Sequence, residues 1–336
     1  MNSTHRGLAL WPRLCRAVVV LAAGLPAMAV AGDQTELKIG LSAAGNTSLA
    51  LLLAQDQGVY AARGIKTEMS VFDAGSHGAA ALAAGQIDVM HVGLSAVIEL
   101  DRAGADLRLI ASLVNVVRFS LFVAPGVRTG ADLKGGVMAV SGFGSESDST
   151  MRLALARLGL KPGDVVMKEV SGNASRIAAL KSGAIKGAML GEPTATMARR
   201  EGLATMVDLA AERIPWVYSA LVVRRSDLAN RRELLKQFLQ ATVEGAYLGL
   251  NDPARAKEVL AREAKISDPA TVAMSYDEFK RETPPMLEPA RAEAENVLAQ
   301  FPGAGSRIDD YVDPSLLAEL KQEGFFAAMA RKYGAQ

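Results

Sequence analysis

The chain has 336 residues, long enough for about two domains. Half of it is apolar, 5% is aromatic, and the formal charge is +1 with acids and bases interleaved. That balance excludes a disordered chain and offers no basic stripe for nucleic acid.

The first 31 residues read as an export signal. His5, Arg6, Arg13 and Arg16 form a basic start, Ala17 to Val30 is almost wholly apolar, and Ala29-Val30-Ala31 gives a small-x-small ending before Gly32. The apolar run is shorter than the ~20 residues a membrane span needs. Cleavage near Ala31 removes Cys15, the only cysteine, and takes 37 basic residues to 34 against 36 acidic ones, a formal charge of −2. The mature protein is expected to be exported, soluble and monomeric, without thiol or disulfide.

From Glu36 the pattern alternates strand and helix. Leu37–Leu41 predicts a strand, Ser42–Thr47 a loop, Ser48–Gly58 a helix, and Ile65–Val71 a second strand by its alternating apolar residues. Ser76 opens a helix, Ile87–Val92 is a strand, Ser95–Arg102 a helix, and Arg108–Leu113 a strand. The rhythm predicts α/β layering with a mostly parallel sheet. Ser120–Ala124 is an unbroken apolar strand, Val137–Val140 another, and a helix starting in Ser145–Ser149 stops at Gly159. A second unbroken strand, Ala220–Val223, precedes a helical C-terminal region over 233–250, 253–263, 269–282, 289–300 and 314–322. Several of these helices open on Asp-Pro, a cap followed by proline at the first helical position.

One unit occurs twice. Residues 81–93, ALAAGQIDVMHVG, align without a gap on 179–191, ALKSGAIKGAMLG, and each follows a Gly-polar opening, Gly75-Ser76-His77-Gly78 or Gly172-Asn173-Ala174-Ser175. Gly85 and Gly183 are expected to end their helices in the left-handed conformation. Two lobes built from a similar unit place two sets of strand ends face to face. The expected division is a signal at 1–31, lobe one at 35–121 and 222–336, and lobe two at 122–221, the two apolar strands making the crossings.

Ligands of open α/β sheets sit at the carboxyl ends of strands, where helices begin. Asn46 and Thr47, Ser76 and His77, and Ser95 hold that position in lobe one, and Ser145, Ser147, Asn173 and Glu192 hold it in lobe two. Helix starts offer N–H donors and partial positive charge, so a small carboxylate or sulfonate fits them; helix capping is the alternative role. Arg118 is the candidate cation, with a salt bridge to the other lobe or an exposed charge as its alternatives, and Trp216 and Tyr218 are candidate aromatic walls, with core packing as theirs. Glu146 and Asp148 are expected to serve their own helix dipole. No cluster has metal-ligand spacing, and no catalytic triad, dinucleotide loop or phosphate loop is present, so neither cofactor nor enzymatic turnover is expected.

Four motifs carry a resemblance: Ala54-Gln55-Asp56-Gln57-Gly58-Val59-Tyr60 with Gly64-Ile65; Ala83-Ala84-Gly85-Gln86-Ile87-Asp88-Val89; Ala131-Asp132-Leu133-Lys134-Gly135; and Ala178-Ala179-Leu180-Lys181-Ser182-Gly183. In this order and spacing the chain resembles the substrate-binding proteins of ABC importers, in the NMT1/THI5-like branch used for nitrate, sulfonates, taurine and thiamine-pyrimidine precursors. The resemblance implies a two-lobed periplasmic-binding-protein fold of type II with a two-strand hinge, and a helical C-terminal region packed on lobe one. It also implies a periplasmic location and delivery of cargo to a permease with its ATPase. The sequence departs from that family in its first loop, Ala43–Thr47, which lacks an aromatic or proline, and at Lys186-Gly187, where Asp-Ala is usual. A thiamine-precursor heteroaromatic, or a sensing rather than a transport role, stays open as the alternative.

Overall fold

The computed structural model describes residues 34–284, 286–304 and 307–334, so the expected export signal lies outside the described residues. Four strands come first: β1 (Thr35–Leu41), β2 (Ile65–Val71), β3 (Val89–Val92) and β4 (Leu107–Val116). Then come β5 (Phe119–Val123), β6 (Val137–Val140), β7 (Val166–Glu169), β8 (Gly187–Gly191), β9 (Ala204–Val207) and β10 (Pro215–Arg224). They form two five-stranded sheets, ordered β2-β1-β3-β10-β4 and β7-β6-β8-β5-β9. Both follow one plan. Three strands run parallel, one antiparallel strand (β10 or β5) follows, and a further strand closes the edge. The sequence repeat falls on matching places, ahead of β3 and β8, and Gly85 and Gly183 both have φ of 74°.

Helices cover both faces of each sheet. On the first lie α1 (Leu49–Asp56), α2 (Gly75–Ala83) and α3 (Leu94–Arg102); on the second, α4 (Glu146–Arg157), α5 (Asn173–Lys181) and α6 (Thr194–Arg200). After β10 come α7 (Arg225–Asn230), α8 (Arg232–Asn251), α9 (Pro253–Glu263), α10 (Pro269–Glu282), α11 (Arg291–Leu298), α12 (Ser315–Gln322) and α13 (Phe325–Tyr333). This coat packs on the first sheet and its helices: α8 and α9 meet α1, α11 meets β10, and α12 meets β4. Asp252 and Asp268 cap α9 and α10 as their Asp-Pro starts predict, Asp252 accepting Arg255 N–H at 3.0 Å.

Strand alternation sorts the core. Leu37, Ile39 and Leu41 of β1 enter one apolar cluster with Leu221 and Val223 of β10, while Ala220 and Val222 face a second cluster. That second cluster continues through Leu94, Val97 and Trp216 to Leu121, Met138 and Met151 of the other sheet. A third, with Phe122, Leu180 and Leu190, fills the far face.

The crossings differ from expectation. β5 lies wholly in the second sheet and Ala220–Val223 sits mid-strand in the first, so the chain changes sheet at Val117–Arg118 and again between Val207 and Pro215. The two runs are unbroken in apolar character because each strand has neighbours on both sides and cover on both faces. That pattern marks burial, not a hinge.

Candidate ligand-binding site

The carboxyl ends of the parallel strands face one cleft. Its first compartment, about 410 Å³, is lined by the segments that follow β1, β2 and β3, by those that follow β6, β7 and β8, and by the α9–α10 connection at Glu263–Lys265. A second compartment of about 440 Å³ shares Thr47, Asn173, Glu192 and Tyr218 with the first and extends to Asn46, Arg118, Met197 and Ile266. Both fall in the range of small-molecule sites.

Charge in this cleft is mostly spoken for. Glu192 accepts the Thr196 N–H at 3.0 Å and pairs with Arg199 at 2.7 Å, which fixes the start of α6. His91, 1% exposed, is held neutral, its pKa pushed down to about 4 by burial. Its Nε2 meets the Thr47 carbonyl at 3.0 Å and Ser219 Oγ at 2.5 Å. That carbonyl assigns the proton to Nε2. Ser141, Ser145 and Ser147 share hydroxyl contacts of 2.8–3.2 Å at the end of β6. Phe119 and Tyr218 meet edge-on at a centroid distance of 5.5 Å and form the aromatic wall.

Arg176 is the exception. It sits on the first turn of α5, is 3% exposed, and lines the first compartment. One Nη donates to the Val170 carbonyl at 2.9 Å and the other to Asn173 Oδ1, while the Nε–H has no partner. Among the described residues no carboxylate forms an ion pair with it; burial pulls its pKa down to about 10, so it is a charged, uncompensated guanidinium at neutral pH.

A model of the NMT1-like family matches residues 31–263, which carry all but the last few residues of this cleft. The chain belongs to the NMT1-like family. Solved structures similar to it share the periplasmic-binding-protein fold. One, from Bordetella bronchiseptica RB50, has a TM-score of 0.75 at 20% identity and covers 87% of this chain and 98% of its own. The alkanesulfonate-binding protein SsuA of Xanthomonas axonopodis pv. citri, bound to MOPS, gives 0.69 at 21%, covering 84% and 99%. The periplasmic nitrate-binding protein NrtA of Synechocystis PCC 6803 gives 0.68 at 17%, covering 87% and 89%. Among curated proteins no match was found.

In this NMT1-like chain the sequence-derived candidates divide. Thr47, Ser145, Ser147, Asn173, Glu192 and Tyr218 line the first compartment, and Asn46 and Arg118 the second. Ser76 and His77 do not line the cleft; they crowd Gly142 at the start of α2, where an added Cβ would lie 2.8 Å from Ser76 Oγ. Ser95 is fully buried beside Glu146. Trp216 is core, 1% exposed, and Phe119 takes the wall position beside Tyr218. Arg118 is not a free anion clamp: Glu278 and Glu282 of α10 both pair with it, and Glu278 also accepts from Asn46 Nδ2 at 2.8 Å. The ion pair expected with the other lobe is made instead with α10, within 222–336 of lobe one, by two acids 160 and 164 residues on. Asp148 serves its own helix start by accepting the Gly144 N–H at 3.0 Å, but Glu146 does not; its carboxyl reaches Ser95 N and Trp216 Nε1 instead.

Arg176, His91 and Phe119 were not singled out from sequence. For Arg176 a signal existed. At the repeat's register it aligns with Gly78, whose position has no room beside Met90 Cε, so the two copies diverge where one is filled and the other charged.

Proposed function

We propose that the protein is the solute-binding component of an ABC-type importer. It takes a small organic anion, a carboxylate or sulfonate, between its two lobes and hands it to a membrane permease. Residues 1–31 direct it to the periplasm and are then removed. The observation that carries the ligand class is Arg176. A buried charge without a counterion is strongly unfavourable, and an anionic ligand supplies the missing partner. Asn173 at the start of α5 and the Ser145–Ser147 hydroxyls at the start of α4 add donors, with helix N-termini behind them. Glu192 does not oppose an anion, because Arg199 already neutralises it. The relatives point the same way: a sulfonate-binding and a nitrate-binding protein share the fold.

The Phe119–Tyr218 wall favours one alternative, a flat heteroaromatic of the thiamine-pyrimidine kind. A thermal-shift panel decides between them: alkanesulfonates, taurine, mono- and dicarboxylates and nitrate against the matching amides and aminopyrimidines. Ligand at 100 times its dissociation constant adds about 2.7 kcal/mol to stability. The expected result is that an acid raises the melting temperature, its amide does not, and the bound acid is recovered unchanged. Aminopyrimidines or amides shifting the protein while all acids fail would refute the anion; a transformed product would refute the binding role.

A further inference from the structure

One carboxyl crosses from lobe to lobe. Glu146 is the first residue of α4, on the second-sheet side, yet its Oε1 accepts the Ser95 N–H of α3 at 2.8 Å. Its Oε2 accepts the indole Nε1–H of Trp216 on β10 at 2.7 Å. Glu146, Ser95 and Trp216 are all buried. Ser95 N–H belongs to the first turn of α3 and has no partner within its own helix, so the carboxyl sits on the positive end of that helix. Gly93 makes the seat possible: a Cβ there would lie 2.2 Å from Oε1 and 2.4 Å from Cδ. Among the described residues no lysine or arginine forms an ion pair with Glu146, so the seat compensates it through N–H dipoles alone.

We propose that Glu146 is a latch between the lobes, a tethered acid seated on the N-terminus of α3, and that its protonation couples cleft closure to pH. The latch rests on the reading that the two lobes open and close, but its test needs no ligand, so either can fail without the other. Burial in the seat raises the Glu146 carboxyl to about 7 from its ordinary 4.5. In an open cleft it returns to water and to the ordinary value. The closed form therefore holds the proton more tightly, and closure is favoured as pH falls through 7 toward 4.5. Above 7 the closed form must bury the carboxylate.

Other charged and titratable groups surround the seat. Arg176 of α5 stays protonated to about 10, burial holds His91 of β3 neutral down to about 4, and burial raises Tyr218 of β10. Glu99 of α3 packs beside Gly144, Asp148 lies on the same helix as Glu146, and Glu192 pairs with Arg199. Asp101, in the last turn of α3, is raised to about 6, so a control must separate it.

The chain has two tryptophans, Trp11 and Trp216, and Trp11 lies in the segment proposed to be removed, so in the mature protein Trp216 is the one tryptophan and places the reporter on the latch itself. Emission and small-angle scattering are followed from pH 8.5 to 5.5 without ligand. The expected result is one emission transition near pH 7 with contraction at the acid end, both lost in Glu146→Gln, which keeps shape but not charge. Gly93→Ala blocks the seat without altering a titratable group and is expected to enlarge the scattering radius at every pH. Circular dichroism verifies folding, and Glu146→Gln decides by itself where Gly93→Ala does not fold. A transition that persists in Glu146→Gln overturns the latch, and so does an emission titration with no change in scattering radius.

Discussion

Arg176→Met tests the site through two effects of opposite sign. In the empty cleft burial holds the guanidinium pKa down to about 10, so keeping it charged costs about 3 kcal/mol. A base with a depressed folded pKa is destabilising at every pH below that value, so the penalty is constant across pH 5–9 and fades only above about 10. Methionine removes the penalty and forfeits the bonds to Val170 O and Asn173 Oδ1, each worth about 1 kcal/mol. The ligand-free variant is therefore expected to be as stable as the parent or more so, by about 1 kcal/mol. With an acid bound the sign reverses. Truncating one partner of a buried charge pair costs 2–5 kcal/mol, and about 3 kcal/mol is a roughly 150-fold rise in Kd. Urea unfolding of the free protein and calorimetry with the acid identified by the panel read the two effects separately. A variant that loses more than about 1 kcal/mol when ligand-free, yet keeps its Kd, would show Arg176 to be structural and refute the argument.

Two further substitutions probe charges the fold has already used. Arg118→Ala leaves Glu278 without a cation, Glu282 keeping Arg213 and Arg281, and urea unfolding is expected to show a loss of about 3 kcal/mol, while the Kd for the acid changes less than tenfold by calorimetry. Glu244 of α8 binds Arg63, Lys332 and Tyr333 at 2.5–2.7 Å and is held down to about 2 by those contacts against the opposing effect of burial. A depressed acid stabilises above its ordinary 4.5 and loses that effect as pH falls toward 2, so Glu244→Gln is expected to cost up to about 3 kcal/mol at pH 7. The gap between the two proteins should narrow at pH 3; equal gaps at both values would exclude this linkage.

The cleft's electrostatics follow from which charges find partners within the protein. Glu192 has Arg199, Glu278 and Glu282 have Arg118, and Glu146 has two N–H donors and a raised pKa. Arg176 is the buried cation among them that has no counter-charge among the described residues, while Glu146, which lines the same compartment, also lacks an ion pair and is protonated below about 7. On the proposed reading, an incoming anion would meet a preformed partner already stripped of water. That preorganisation is the source of its advantage over a surface site.

What the sequence determined by itself was local. The repeated helix–glycine–strand unit fixed the α/β class and pointed to two similar lobes, because caps, left-handed glycines and apolar runs act within a few residues of chain. The Asp-Pro starts of α9 and α10 were readable for the same reason. β7 and β9 were not read: each has four residues and lies at a sheet edge, too short and too exposed to show an apolar run. The strand ends Asn46, Thr47, Ser145, Ser147, Asn173 and Glu192 were legible because topology alone brings them to the cleft. What only the tertiary structure decided was the state of each charge. Arg118 is neutralised from α10, 160 residues on, whereas Arg176 forms no ion pair with an acid among the described residues. Glu146 turns from its own helix to the next lobe because Gly93 leaves it room. A charge's role depends on what stands within a few ångströms of it and on how much water remains there. Residue order fixes neither until the chain has packed.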